Sequence, residues 1–218
     1  MPADYLALIY SFVYVFGMLA IAEGLRAWLK LSVDFTRKFI HIAVGMWAFG
    51  TVLLFEQRAF AVIPPLSFVA INALSYWKGT FQAMEDESGN LGTVYFPLSF
   101  AAIIWIFWGQ SHLVVAALMP MTWGDALAAI VGRRYGKIRY AVAGSLRTLE
   151  GSLVMLVAGA VATLLALWLI PPPAFSLGQA VLLAGATALG ATLAESISPW
   201  GIDNLTVPAV SALILFLM

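Results

Sequence analysis

Residues 124–140 read GDALAAIVGRRYGKIRY. Asp125 stands inside an apolar run, and Arg133, Arg134, Lys137 and Arg139 follow it closely. A carboxylate can hold a divalent ion or take up a proton. Arginine forks bind phosphate in bidentate fashion, and glycines let backbone approach an anion closely. A basic flank beside an apolar run is by itself an ordinary topology signal. The interleaving with Gly132, Gly136, Gly144 and Gly151 points further, to a bound phosphate. No G-x-x-x-x-G-K-[ST] loop occurs, so any nucleotide is held by a different device.

Four other stretches carry comparable chemistry. In RKFIH, Arg37 and Lys38 lie four and three residues before His41, so all three can share a helix face. That histidine reads either as a proton acceptor or as an interfacial ring bonded to a backbone carbonyl. EDESGNLGT sets Glu85, Asp86 and Glu87 before a glycine-rich turn, as a solvated loop tip or as Mg²⁺ ligands. SLRTLEGS supplies Arg147, Glu150, Gly151 and Ser152. AESISPWGIDN supplies Glu195 and Asp203 on either side of a Pro-Gly break. Helix capping accounts for Asp203 but not for Glu195, which ends a long apolar run.

The elements that must position these groups are membrane spans. Of 218 residues, 62% are hydrophobic and 10% charged, too few charges to clothe a water-facing surface. With no cysteine, disulfides, thiolate metal sites and cysteine nucleophiles are excluded. Apolar runs at 5–22, 39–55, 59–77, 94–108, 112–131, 153–170, 178–194 and 205–217 predict an all-α polytopic membrane bundle of seven to eight transmembrane helices. The chain, 1–218, reads as a single integral membrane domain. Its first run lacks a basic start and an A-x-A site, so it is expected to be a retained span and not a cleaved leader. With the N-terminus outside, every lysine and arginine except Arg58 falls on the inner side. The polar stretches gather on that same side, which predicts a site at the cytoplasmic face of a plasma or inner membrane.

Within 124–133, Asp125, Ala129, Gly132 and Arg133 recur on one helix face, and Gly124, Ala128 and Gly132 form a small-residue row that admits another helix. An intramembrane carboxylate is costly unless paired, and such residues are functional by default.

Together RKFIH, GTVYFPLS, GDALAAIVGRRYGK, RTLEGS and DNLTVP, in that order over 37–208, resemble the polyprenol kinase family of dolichol, phytol and CTP-dependent diacylglycerol kinases. The resemblance implies an integral membrane kinase that moves the γ-phosphate of a nucleoside triphosphate, usually CTP, onto a lipid alcohol with Mg²⁺. On that reading Asp125, His41 and Lys38 are catalytic. Arg133, Arg134, Lys137, Arg147, Gly132, Gly136, Gly151 and Ser152 hold phosphate. Asp125, Glu150, Glu195, Asp203 and Asp86 are the metal candidates. The related motif commonly carries lysine where this chain has Arg147; arginine suits a phosphate clamp and not a proton carrier. The partners are then a lipid alcohol and a nucleotide, with no nucleic acid. The nearest alternatives are a lipid cytidylyltransferase and a transporter. All of this requires that Asp125, Arg147 and Asp203 converge in space.

Overall fold

A computed structural model of the chain describes residues 2–78, 91–173 and 176–218. It contains α1 (Pro2–Leu29), α2 (Val33–Gly45), α3 (Trp47–Leu54), α4 (Arg58–Ala61), α5 (Ile63–Lys78), α6 (Gly92–Ile106), α7 (Ser111–Met119), a π-helix (Pro120–Asp125) and α8 (Ala126–Tyr135). After them come strands β1 (Arg139–Val142) and β2 (Ser145–Thr148), then α9 (Leu149–Leu169), α10 (Leu177–Ile197) and α11 (Asp203–Leu217). Among the described residues, six segments are long and apolar enough to cross a membrane: Pro2–Leu29, Val33–Leu54, Arg58–Trp77, Ser111–Tyr135, Leu149–Leu169 and Leu177–Ile197. Gly92–Ile106 and Asp203–Leu217 are shorter apolar helices. These correspond one for one to the eight predicted runs, so the chain is a polytopic membrane helix bundle.

Most spans turn one face outward to lipid, but Ser111–Tyr135 is central. Leu113 to Met119 are all buried at 2% exposure or less, and the segment packs against α3, α6, α9 and α11. The first span runs past its predicted end, and there Glu23 and Arg26, one turn apart, pair at 2.5 Å.

Two features depart from the purely helical expectation. The predicted loop after the fifth span folds instead as an antiparallel hairpin, β1–β2, with Val142 opposite Ser145. Its two-residue turn is Ala143–Gly144, both at positive φ (49° and 82°), the backbone that tight hairpins require. The second departure is the π-helix. Pro120 has no amide hydrogen to continue the α-ladder, and the wider turns that follow deliver Asp125 at their end. Such segments are uncommon and cluster at functional sites.

The two edges of the bundle differ in chemistry. At one, Asp4 accepts hydrogen bonds from the Glu56 and Gln57 amides (2.9 and 3.2 Å), and the Arg58 guanidinium lies 4.5 Å over the Trp105 ring. The other edge holds Arg133 paired with Asp34 and the charged groups described next.

Candidate active site

Several span ends at the second edge contribute charged or polar groups. Ser32 caps α2 by accepting from the Phe35 amide, and that helix then presents Lys38 and His41 one turn apart. Lys38 Nζ donates to Asp125 Oδ2 at 2.7 Å. His41 Nε2 lies 3.0 Å from the Met121 carbonyl inside the π-helix. A carbonyl only accepts, so Nε2 is the donor, and Nδ1 is the acceptor of the neutral ring. Phe96 of α6 holds the imidazole from one side, with ring centroids 4.1 Å apart.

The hairpin brings Arg147 over the junction of α10 and α11. Its Nε lies 2.9 Å from Glu195 Oε1, and its Nη2 lies 3.0 Å from Asp203 Oδ2. Nη2 also donates to the Ser198 carbonyl at 3.2 Å. Ser145 Oγ donates to that carbonyl at 3.1 Å, fixing the hairpin to the turn. Burial acts to lower the Arg147 pKa, but Glu195, Asp203 and Asp125 outweigh it and hold the group above its ordinary value. It stays a cation.

Asp125, Glu195 and Asp203 thus meet although they come from three different spans. One carboxylate oxygen from each lies within 4.8 Å of the others, and all three residues are buried at 5–8% exposure. Three carboxylates face two cations, Lys38 and Arg147. Three hard oxygen donors this close fit a divalent ion of the Mg²⁺ type, which takes carboxylate and phosphate oxygens. The required convergence of Asp125, Arg147 and Asp203 is met.

A cavity of about 310 Å³ opens from this cluster, bounded by Lys38, His41, Asp125, Arg133, Arg147 and Asp203 at its mouth. Deeper, its walls are apolar, with Val15, Val44, Phe68, Phe96, Phe100 and Ile104. Asp125, Ala129 and Arg133 line it on one face of the π-helix and α8, as the spacing predicts. Gly132, predicted on that face, lies instead with the small-residue row against α9. A side chain at Gly132 would meet Thr148 Oγ1 at 2.9 Å, and one at Gly124 would meet Met155 Sδ at 2.7 Å.

The remaining candidates lie outside the cluster. Gly136 and Gly151 pack against Thr148, so close helix contact accounts for them. Arg134 lies over the Tyr135 ring at 5.5 Å and is exposed, as is Lys137. Glu150 accepts from the Lys137 and Ile138 amides (3.0 and 3.3 Å) and so ties the hairpin to α9, away from the three acids. Ser152 Oγ lies 2.5 Å from the Tyr140 hydroxyl. Glu85, Asp86 and Glu87 fall outside the described residues. Reasoning from charge alone overlooked Gly92, Thr93 and Asn204, which line the cavity mouth; the first two open the GTVYFPLS block. Asn72 Nδ2 donates to the Thr93 carbonyl at 2.7 Å and joins α5 to that wall.

Over 207 residues the chain is 32% identical to the phytol kinase of Synechocystis sp., covering 92% of this chain and 86% of that protein. It is 32% identical over 129 residues to the dolichol kinase of Saccharomyces cerevisiae, covering 58% of this chain and 22% of the relative. It is 26% identical over 201 residues to the chloroplastic farnesol kinase of Arabidopsis thaliana, covering 84% of this chain and 64% of the relative. No family model matches, and no solved structure matches.

Proposed function

The chain belongs to the polyprenol kinase family, and from that premise we propose that it is an integral membrane kinase moving the γ-phosphate of CTP onto the hydroxyl of a prenol-type alcohol. One observation carries the reading: three acids and two cations converge at the mouth of an apolar cavity that enters the bundle. Phosphoryl transfer asks mainly for positioning and charge neutralisation, which such a cluster supplies.

Asp125, Glu195 and Asp203 would hold Mg²⁺, which would neutralise phosphate charge. Arg147, its guanidinium held between Glu195 and Asp203 at the cavity mouth, stands beside the donor phosphates as a fixed cation. Arg133 stands at the same mouth and adds a second cation. Lys38 pairs with Asp125 Oδ2 at 2.7 Å and orients that carboxylate in the cluster. The tail of the alcohol lies among the apolar walls, which places its hydroxyl beside His41. Its proton goes to His41 Nδ1, the accepting nitrogen of a ring whose Nε2 donates to the Met121 carbonyl. With the basic edge facing the cytoplasm, the nucleotide arrives from that side.

Purified protein given geranylgeraniol, Mg²⁺ and, separately, CTP, ATP, GTP or UTP tests this. Phosphorylated lipid forming fastest with CTP is expected. No phosphorylated lipid with any nucleotide would remove the proposal.

A further inference from the structure

We infer that Trp200 is the platform on which the base of the nucleotide stacks, which makes the turn between α10 and α11 the nucleoside end of the site. This rests on the kinase reading for the nucleotide and on the geometry of the turn for the base.

Pro199 to Ile202 form a tight turn, closed by the Ile202 amide on the Pro199 carbonyl at 3.1 Å. Its central residues, Trp200 and Gly201, both have positive φ (53° and 79°), a pattern that glycine, asparagine and aspartate normally fill. Gly201 fits it. Trp200 does not, because a bulky side chain on left-handed backbone is an outlier. Such outliers persist only where the surroundings enforce them, and they gather at functional sites. Both flanks of this turn are tied down. Before it, the Ser198 carbonyl accepts from Arg147 Nη2 and Ser145 Oγ at 3.2 and 3.1 Å. After it, the Gly201 carbonyl accepts from the Asn204 amide and from Asn204 Nδ2, each at 3.2 Å.

The side chain held this way buries little. Trp200 is 74% exposed, yet it borders the cavity mouth beside Arg147, Asp203 and Asn204. Trp28 and Trp77 are 80% exposed, but they end α1 and α5 and do not border that cavity, the placement of ordinary interfacial anchors. Every base has a π-face, so an aromatic side chain fixed beside a phosphate site can stack any of them. Trp200 precedes Asp203 by three residues, at most about 10 Å of chain. Ribose and phosphates separate a base from its γ-phosphate over a similar range. With the phosphates at Asp203 and Arg147, the base therefore reaches the indole. Stacking uses the face of the base and not its edge, so Trp200 adds affinity for the nucleoside without choosing among bases.

The test titrates the full chain in detergent with CTP and with tripolyphosphate, which has no base, each with Mg²⁺. It reads affinity from the shift in Tm, and kcat and KM from phosphorylated geranylgeraniol. Trp200→Asn removes the ring and suits the left-handed backbone, so its Tm without nucleotide should be no lower than that of the unaltered chain. Its Kd and KM for CTP should rise about tenfold or more, the loss falling in KM and not in kcat, while tripolyphosphate binds as before. Trp200→Phe should recover most of the affinity, and Trp28→Ala should change none of these values. Equal CTP affinity in Trp200→Asn overturns the platform, as does an equal loss for CTP and tripolyphosphate or the same CTP loss in Trp28→Ala. CTP binding that depends on Trp200 but yields no phosphorylated lipid supports the platform and removes the kinase reading. Phosphorylated lipid with an unchanged KM for CTP in Trp200→Asn does the reverse.

Discussion

Asp125 and His41 share a few ångströms of space, and substitutions can separate their roles. Asp125→Asn still accepts from Lys38 but cannot supply an anionic oxygen. Turnover is expected to fall at least about a hundredfold, with unchanged membrane insertion and an unchanged elution volume in detergent. His41→Gln keeps a donor for the Met121 carbonyl and lacks a basic nitrogen. It should lower kcat by about a hundredfold or more while KM for nucleotide holds; a full-rate Gln variant would exclude His41 as the proton acceptor. At this scale the sequence was informative where residue type and spacing suffice. Asp125 drew notice because a charge in an apolar run demands a partner, and Lys38, His41 and Arg147 because of their short polar motifs; the fold brings the four to one cluster. What spacing could not tell was which partner. Glu150 looked as good a ligand as Glu195, yet two backbone amides of the hairpin claim it. That outcome depends on a turn seen only in the folded chain.

The hairpin and the π-helix are the elements that turn a bundle into a site. Arg147 reaches Glu195 and Asp203 only because the hairpin folds back over α10 and α11. Arg147→Met leaves those two buried acids without their cation and is expected to cost about 3–5 kcal/mol, read as a lowered Tm in detergent. Arg147→Lys restores a charge but not the fork, so it should recover most of the stability and raise KM for the nucleotide. The seam of α8 and α9 is equally exacting. A Cβ on Gly151 would lie 3.2 Å from the Ala128 carbonyl and 2.9 Å from Thr148 Oγ1, the cap of α9. Gly151→Ala is expected to destabilise by about 1–3 kcal/mol in the same assay. The small-residue row announced a close helix neighbour in advance. The strands went unseen because RYAVAGSLRT shows no clear alternation, with Leu146 65% exposed. The π-turn went unseen because an apolar run has the same hydrophobicity however tightly it coils.

Across the whole molecule, segregation of charge gives the bundle its direction. Arg58 and Asp4 stand at one edge, and the basic hairpin with the three acids stands at the other. The chain contains no cysteine, so single replacements can be placed without background. Cysteine at Arg139 should react with an impermeant maleimide only after the membrane is opened from the cytoplasmic side, and cysteine at Gln57 should react in intact cells; the opposite pattern would invert the proposed orientation. The positive flanks and apolar runs made the bundle readable, because hydrocarbon leaves a chain few alternatives to helices. The cavity was not readable, since its walls draw single residues from spans far apart in sequence. The most direct measurement of the central claim follows the label of the nucleotide in the unaltered chain and in Asp125→Asn, using CTP labelled at the γ- or the α-phosphate and a twenty-carbon prenol. Phosphoryl transfer at the acidic cluster is expected to put γ-label on the lipid, leave α-label in solution, and vanish in the variant. Transfer of α-label, or undiminished transfer in Asp125→Asn, would contradict it.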